Sequence, residues 1–206
     1  MASKIRLNLG CGIWLRRGFI NVDKYIDFEK VHEKKGIYKH ALIEGKNPKT
    51  VKADIKEMPF PNNYADYVEL MNTIEHFPMY QIVDYLKEIH RVMKPGGELV
   101  ILTNNFTGQA IEWLDMVANG VFDVKQYYDI AEVIYGNQYG DSDVAEYHKC
   151  PFTKDFMNHV LTQAGFSKGN LFILPKGAKV PTIGTVKPIK KNAITRNSLL
   201  IAEVIK

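Results

Sequence analysis

The run Leu99-Val100-Ile101-Leu102 constrains the fold of this 206-residue chain more than any other segment. Four consecutive apolar residues leave no polar side for water, which suits a parallel strand covered on both faces. The residues before it supply the context. Ile82, Tyr85, Leu86, Ile89 and Met93 recur at helical spacing behind Pro78, a residue suited to a helix's first turn, and Pro95-Gly96-Gly97 stops that helix ahead of the strand. A helix feeding a doubly buried strand is the building unit of an α/β sheet.

The unit repeats toward the N-terminus. Ile5-Arg6-Leu7-Asn8-Leu9 alternates apolar and polar residues and stops at Gly10-Cys11-Gly12, a strand ending in a tight glycine turn. Phe19-Ile20-Asn21-Val22 reads as a second strand ending at Asp23, Val51-Lys52-Ala53-Asp54 as a third, and residues 65–71 as a fourth. Only eight residues separate Gly12 from Asn21, fewer than the ~10–12 a helical crossover needs, so the first helix must be shortened or replaced by a loop. Asp27 is placed to cap a short helix ended by Gly36. Farther on, Thr153 caps a helix running to Ala164 with Gly165 as its terminator, and 171–174 and 199–205 close the sheet. Residues 104–152 interrupt the alternation, with helical patches around 110–117 and 125–135. They read as an insertion over the sheet's carboxyl edge within one domain spanning 1–206.

Composition bounds the partners. The hydrophobic fraction is 46% and the charged fraction 24%, ordinary globular values, and no apolar run approaches the ~20 residues of a membrane span. The N-terminus leads straight into the first strand without a signal-peptide apolar region, and Cys11 and Cys150 lack the spacing of a disulfide framework or zinc site. A cytoplasmic protein with no membrane contact and no metal is expected. The net charge of +4 is uneven: residues 168–206 carry eight Lys/Arg against Glu203 alone, whereas 112–146 carry eight Asp/Glu against Lys125 alone.

Three signals fall where strands end, and in open α/β sheets ligands bind at those ends. Glycines at 10 and 12 let a ligand approach the backbone closely. Asp23 can accept hydrogen bonds from both hydroxyls of a ribose, and Asp54 from an exocyclic amine. Turn, ribose acceptor and base acceptor on adjacent strand ends describe an adenosine site. A nicotinamide dinucleotide fits less well. Its fingerprint puts a third glycine where Leu15 stands and needs a helix N-terminus for the pyrophosphate.

At these residues the chain resembles the class I S-adenosylmethionine-dependent methyltransferases, and within them the methyltransferase type 11 group. The matching segments are Leu7-Asn8-Leu9-Gly10-Cys11-Gly12, Gly18-Phe19-Ile20-Asn21-Val22-Asp23, and Asp54-Ile55 with Met58-Pro59-Phe60. Asn72-Thr73-Ile74-Glu75-His76-Phe77, Arg91-Val92-Met93-Lys94-Pro95-Gly96-Gly97, Tyr147-His148-Lys149 and Ala164-Gly165-Phe166 extend the match. The resemblance implies an α/β, Rossmann-like doubly wound sheet of about seven strands, mostly parallel, with helices on both faces and an insertion after strand five. It implies S-adenosyl-L-methionine as cofactor. Gly10, Cys11 and Gly12 would line its methionine and ribose side, Asp23 would bind the ribose, Asp54 and Ile55 would hold the adenine, and Asn72 would meet the amino group. Two departures bear on the methionine pose: Asn8, counted among the cofactor-binding residues, stands where the family often has an acid, and Trp14 where its fuller pattern has a third glycine.

The methyl acceptor stays open. His148 is the candidate base and Tyr147 a candidate for orienting substrate, while Glu75 and His76 read as helix-start residues and His90 as surface or satisfied core. A small-molecule or sugar-like acceptor would gain walls from Trp113, Tyr127, Tyr128 and Tyr135 of the insertion. A nucleic acid would be drawn by Lys176, Lys179, Lys187, Lys190, Lys191 and Arg196. A cofactor-binding scaffold without turnover is the third reading. Charge also allows a homodimer, with the acidic insertion docked on a neighbour's basic tail. The family's Asn-Pro-Pro-Tyr or Asp-Pro-Pro-Tyr signature is missing after strand four, which by that resemblance argues against amide and exocyclic-amine acceptors.

Overall fold

The computed structural model describes residues 4–34, 36–120, 124–136, 147–167, 169–174 and 199–206. Its strands are β1 (Arg6–Leu9), β2 (Trp14–Leu15), β3 (Ile20–Asp23), β4 (Leu42–Ile43), β5 (Lys49–Lys52), β6 (Ala65–Met71), β7 (Met93–Asn104), β8 (Asn170–Leu174) and β9 (Leu199–Ile205). Its α-helices are α1 (Phe28–Glu33), α2 (Ile82–Val92), α3 (Phe106–Ala118), α4 (Val124–Tyr135) and α5 (Lys154–Gln163). Seven of the strands form one sheet in the order β5-β3-β1-β6-β7-β9-β8. The pairs from β5 to β7 are parallel, β9 runs antiparallel to β7, and β8 antiparallel to β9. This is the mostly parallel seven-strand α/β sheet that the sequence predicts.

Strand alternation sorts the side chains onto two faces. Leu7, Leu9, Val22, Val68, Leu70, Leu99 and Ile101 share one face and form the main core with α2 and α5, through Leu86, Ile89, Met157 and Val160 among others. Val100, Leu102 and Ile201 pack on the other face of the β7–β9 half. The run 99–102 is therefore buried on both sides.

Over β1, β3 and β6 the second face carries Asn8, Asn21 and Glu69, all buried. The short first crossover explains these polar residues. Residues 13–19 form no helix, so their backbone lacks internal partners, and the sheet supplies them. The Asn8 amide donates to the Trp14 carbonyl and to Asn21 Oδ1, each at 3.0 Å. Asn21 Oδ1 accepts from the Arg16 N–H at 2.8 Å, and its amide donates to the Arg16 and Lys49 carbonyls. The Arg16 guanidinium pairs with Glu69 and lies over the Phe19 ring. β2 pairs with β4 in a small parallel ladder that the sequence did not suggest, and Leu15 seals a satellite core with Cys11, Val31 and Ala41.

Local rules set the ends. Asp27 caps α1, accepting from the Lys30 N–H, but the helix ends at Glu33, stopped by Lys34 in the left-handed conformation before Gly36 is reached. Thr153 accepts from the Phe156 N–H at the start of α5. Its end is a Schellman pair, Phe166 N–H to the Leu161 carbonyl and Gly165 N–H to the Thr162 carbonyl, with Gly165 at φ +94°. The third strand lies two residues earlier than its apolar pattern suggests, at Lys49–Lys52. It is an edge strand hydrogen-bonded only to β3, so half-burial blurs its alternation. Pro95-Gly96-Gly97 does not separate α2 from the strand. It bulges within β7, where the pairing steps from Ala65–Met93 to Tyr67–Glu98.

Candidate active site

The chain runs β1 to β3 to β5 toward one edge and returns to β6 on the other side of β1, so the strand order reverses between β1 and β6. Ligand crevices form at such a point, beyond the carboxyl ends of the strands. Gly10 and Thr73 meet there. Gly10 sits at φ +63°, and a Cβ on it would fall 2.2 Å from Thr73 Cγ2. Thr73 Oγ1 in turn lies within reach of the Leu9, Gly10 and Met71 carbonyls. Gly10→Ala is therefore expected to destabilise the protein by ~2 kcal/mol or more, since left-handed strain alone costs ~1–3 kcal/mol. The urea midpoint checks this, and a Thr73→Ala partner should recover only the steric part. Gly12, at φ +50°, differs: a Cβ there meets nothing within 4 Å, so the turn opens toward space on that side.

The predicted cofactor residues line the same edge in the order of their strands. Asp23 ends β3, with Oδ2 accepting from the Gly12 N–H at 3.0 Å and Oδ1 from the Tyr25 and Ile26 N–H groups at 2.8 and 3.3 Å. Three of about four acceptor positions on the carboxylate are filled. Asp54 lies two residues past β5, accepting from Lys24 Nζ at 2.8 Å and from the Lys56 N–H at 3.0 Å, contacts that hold its carboxyl below the usual range against the opposing effect of burial. Ile55 is buried against the main core. Asn72 follows β6 at φ +51°, a conformation asparagine tolerates, and its N–H donates to the Leu102 carbonyl. Cys11 is buried in the satellite core, where desolvation and then the charge of Asp23 push its thiol well up. The Asn8 amide is engaged by Trp14 and Asn21 on the second face of the sheet.

Sequence reasoning did not assign Arg91 a role. Its guanidinium donates to the Met58 and Phe60 carbonyls, to Asn62 Oδ1 and to Glu88, while Glu88 accepts from the Met58 N–H. These bonds clamp the loop that follows Asp54. The basic residue four positions before Pro95 was visible, but its reach back across thirty residues was not.

The candidate acceptor residues gather beyond β6 and β7. Glu75 and His76 lie on a single 3-10 turn, Ile74–His76. The turn is strapped to the segment 147–150: the Lys149 and Cys150 N–H groups donate to the Glu75 carbonyl at 2.7 and 3.2 Å. His76 Nδ1 lies 3.2 Å from the Tyr147 carbonyl, and the His76 and His148 rings pack edge to face at 5.0 Å. The His148 N–H donates to the Tyr135 carbonyl, which ties the strap to the end of α4. Glu75 is more than a helix-start residue. It is 2% exposed, and Oε2 accepts from Thr103 Oγ1 at 2.9 Å. Desolvation dominates there and pushes its carboxyl up to about 7. Asn105, Gln109 and Glu112 place further buried polar side chains at the start of α3. Of the aromatics proposed as pocket walls, Tyr128 and Tyr135 are exposed, at 58% and 56%. The Tyr127 side chain and the basic stretch 175–197 lie outside the described residues.

The fold places its switch point at β1 and β6, with a glycine turn, two carboxylates and an asparagine in a row along it, the arrangement that the resemblance to class I S-adenosylmethionine-dependent methyltransferases leads one to expect. Residues 7–101 match the model of a family described as a methyltransferase domain. Over 77 residues the chain is 40% identical to demethylmenaquinone methyltransferase of Staphylococcus aureus, a stretch covering 37% of this chain and 30% of that protein. The match thus spans under a third of that relative's length. Among solved structures, a SAM-dependent methyltransferase from Archaeoglobus fulgidus aligns with all of this chain and 87% of its own, with TM-score 0.58 and 17% identity. One from Methanosarcina mazei aligns with all of this chain and 94% of its own, with TM-score 0.59 and 13% identity. These two share the fold. Among the described residues, no helix is long and apolar enough to cross a membrane.

The residues fit S-adenosylmethionine. The Gly12 turn leaves room on its open side, no phosphate-binding helix follows β1, and the acceptors Asp23 and Asp54 suit hydroxyl and amine donors.

Proposed function

We infer that the chain methylates a small-molecule acceptor bound beside Glu75, His76, Tyr147 and His148. The observation that carries this reading is adjacency. The 3-10 turn bearing Glu75 and His76 begins directly after Asn72 and Thr73, so the acceptor cluster adjoins the cofactor edge. The demethylmenaquinone methyltransferase similarity supports a small acceptor.

S-adenosylmethionine, when bound, supplies a sulfonium methyl whose departing thioether needs no proton. The chain's own task is to hold the acceptor in line, and positioning of this kind supplies a large part of a displacement barrier. His148 takes or holds the proton of an acceptor hydroxyl, a contribution worth ~100- to 10,000-fold where deprotonation is needed. Tyr147 orients the acceptor from the same strap. Asp23 holds the ribose and Asp54 with Ile55 the adenine.

The test is calorimetric titration with S-adenosylmethionine and S-adenosylhomocysteine, followed by methyl transfer to a panel of phenolic, quinol and sugar acceptors. Binding of both ligands and transfer to at least one acceptor are expected. His148→Ala should keep cofactor binding and lose ~100-fold or more in turnover. A wild-type chain that binds neither ligand rules the reading out.

A further inference from the structure

Glu75, His76 and His148 carry a second feature that neither the fold nor the cofactor requires. One ligating atom from each, two imidazole nitrogens and a carboxylate oxygen, lies within 4.8 Å of the other two. We propose that these three side chains form a binding site for one divalent transition-metal ion of the zinc class.

Three independent observations support it. The first is the donor set. Two imidazoles and one carboxylate, with further positions open, are the ligands of catalytic zinc and of related first-row ions, whereas magnesium and calcium sites are built mainly from oxygen. The second is Glu75. Its side chain is almost wholly buried, Oε2 is held by Thr103, and Oε1 has no hydrogen-bond partner. A buried carboxylate oxygen left without a donor is costly, and a cation beside it removes that cost. The third is His76. A backbone carbonyl only accepts, so the contact with the Tyr147 carbonyl places a proton on Nδ1 and fixes the ring's orientation. A ligating histidine is typically oriented this way, its second ring nitrogen bonded to a carbonyl or carboxylate. Thr103 plays the same part for Glu75.

The geometry is close to what an ion needs. Ligand atoms on a tetrahedral zinc lie about 3.4 Å apart, from bond lengths of roughly 2.0–2.1 Å. Both imidazoles are only half buried, so small side-chain rotations draw the three atoms together. The backbone under them is fixed, because Lys149 and Cys150 bond the strap to the carbonyl of Glu75 itself.

One consequence rests on the methyltransferase reading above. An ion with open positions at the acceptor site binds an acceptor oxygen and lowers its pKa. It then does the work that the His148 imidazole does otherwise, and it selects hydroxyl-type acceptors. The metal site itself does not depend on that reading.

The experiment uses the full chain, stripped with chelator, and titrates it with zinc chloride by calorimetry and with cobalt chloride by visible absorption. One ion per chain is expected, with cobalt ligand-field bands of a low-coordinate nitrogen and oxygen site. Glu75→Gln, His76→Ala and His148→Ala should each weaken binding at least ~100-fold. Thermal melts show which variants are folded, and His148→Ala, on a half-exposed residue, is the informative one if Glu75→Gln is not. No stoichiometric binding by the wild type overturns the proposal, as does unchanged affinity in folded His148→Ala. S-adenosylhomocysteine titrated into the same preparations separates the two readings: ligand without metal overturns only the site, and metal without ligand only the methyltransferase.

Discussion

Asp23→Ala is expected to weaken S-adenosylhomocysteine binding about 10- to 100-fold, the largest cofactor effect of any single substitution in this chain. A hydroxyl hydrogen bond to a charged carboxylate, at the one acceptor position that the loop leaves open, is worth about 1.5–3 kcal/mol, and 1.4 kcal/mol is tenfold in affinity. The carboxylate has a second task, since it accepts from the Gly12, Tyr25 and Ile26 N–H groups. Alanine orphans these donors, at ~1–3 kcal/mol for each that stays buried, so a fall in melting temperature accompanies the lost affinity. Asp23→Asn separates the two tasks. It keeps one acceptor oxygen for the loop but loses the charged oxygen that would accept from the ribose, so it should fold better than alanine and still bind poorly. Asp54→Ala is the comparison. That carboxylate is partly exposed and already shared with Lys24, so its removal should cost only about tenfold. A folded Asp23→Asn with wild-type affinity would falsify the ribose role and leave Asp23 as a brace for the glycine turn.

The elements were legible wherever one residue's neighbours along the chain decide its environment. Residues 65–71 and 199–205 are strands at the bounds their patterns gave, and the helical period from Ile82 locates α2. These segments pack on one continuous core, so periodicity and burial coincide. Where an element lies at an edge, as β5 does, the pattern drifted by two residues. The row of glycines and carboxylates was legible too, because strand ends are marked by turn chemistry. The acceptor cluster was legible only in part. Tyr147 and His148 were singled out, but nothing local shows that Glu75 turns inward to Thr103 or that His76 meets a strap seventy-one residues away. Asn8 looked like a departure from a family pattern. The structure shows it replacing helix-internal hydrogen bonds under a crossover too short to hold a helix.

The same crossover leads to the largest expected stability effect. Glu69 is fully buried in the middle of β6, and its partner Arg16 comes from fifty-three residues away. Burial holds the Glu69 carboxyl above its ordinary value even though Arg16 opposes the shift. Arg16→Met keeps most of the side chain's apolar stem under Trp14 and Phe19 but strands the carboxylate, and breaking a buried pair in this way costs about 3–5 kcal/mol. Arg16→Met with Glu69→Leu should recover most of that loss, because a well-packed apolar pair of similar volume is often as stable as the ions it replaces. The pH dependence gives the sign. With Arg16 gone the folded-state pKa of Glu69 rises further, while the unfolded value stays near about 4.3. Between those two values the folded variant binds more protons than the unfolded chain, so its stability falls as pH rises. Urea titrations should therefore show Arg16→Met closest to wild type near about pH 5 and farthest at about pH 8, with the double variant free of this additional pH dependence. If the single and double variants lose the same amount at both pH values, the rings of Trp14 and Phe19 rather than Glu69 hold Arg16 in place. The polar second face of the sheet would then serve only the loop backbone that Asn8 and Asn21 already satisfy.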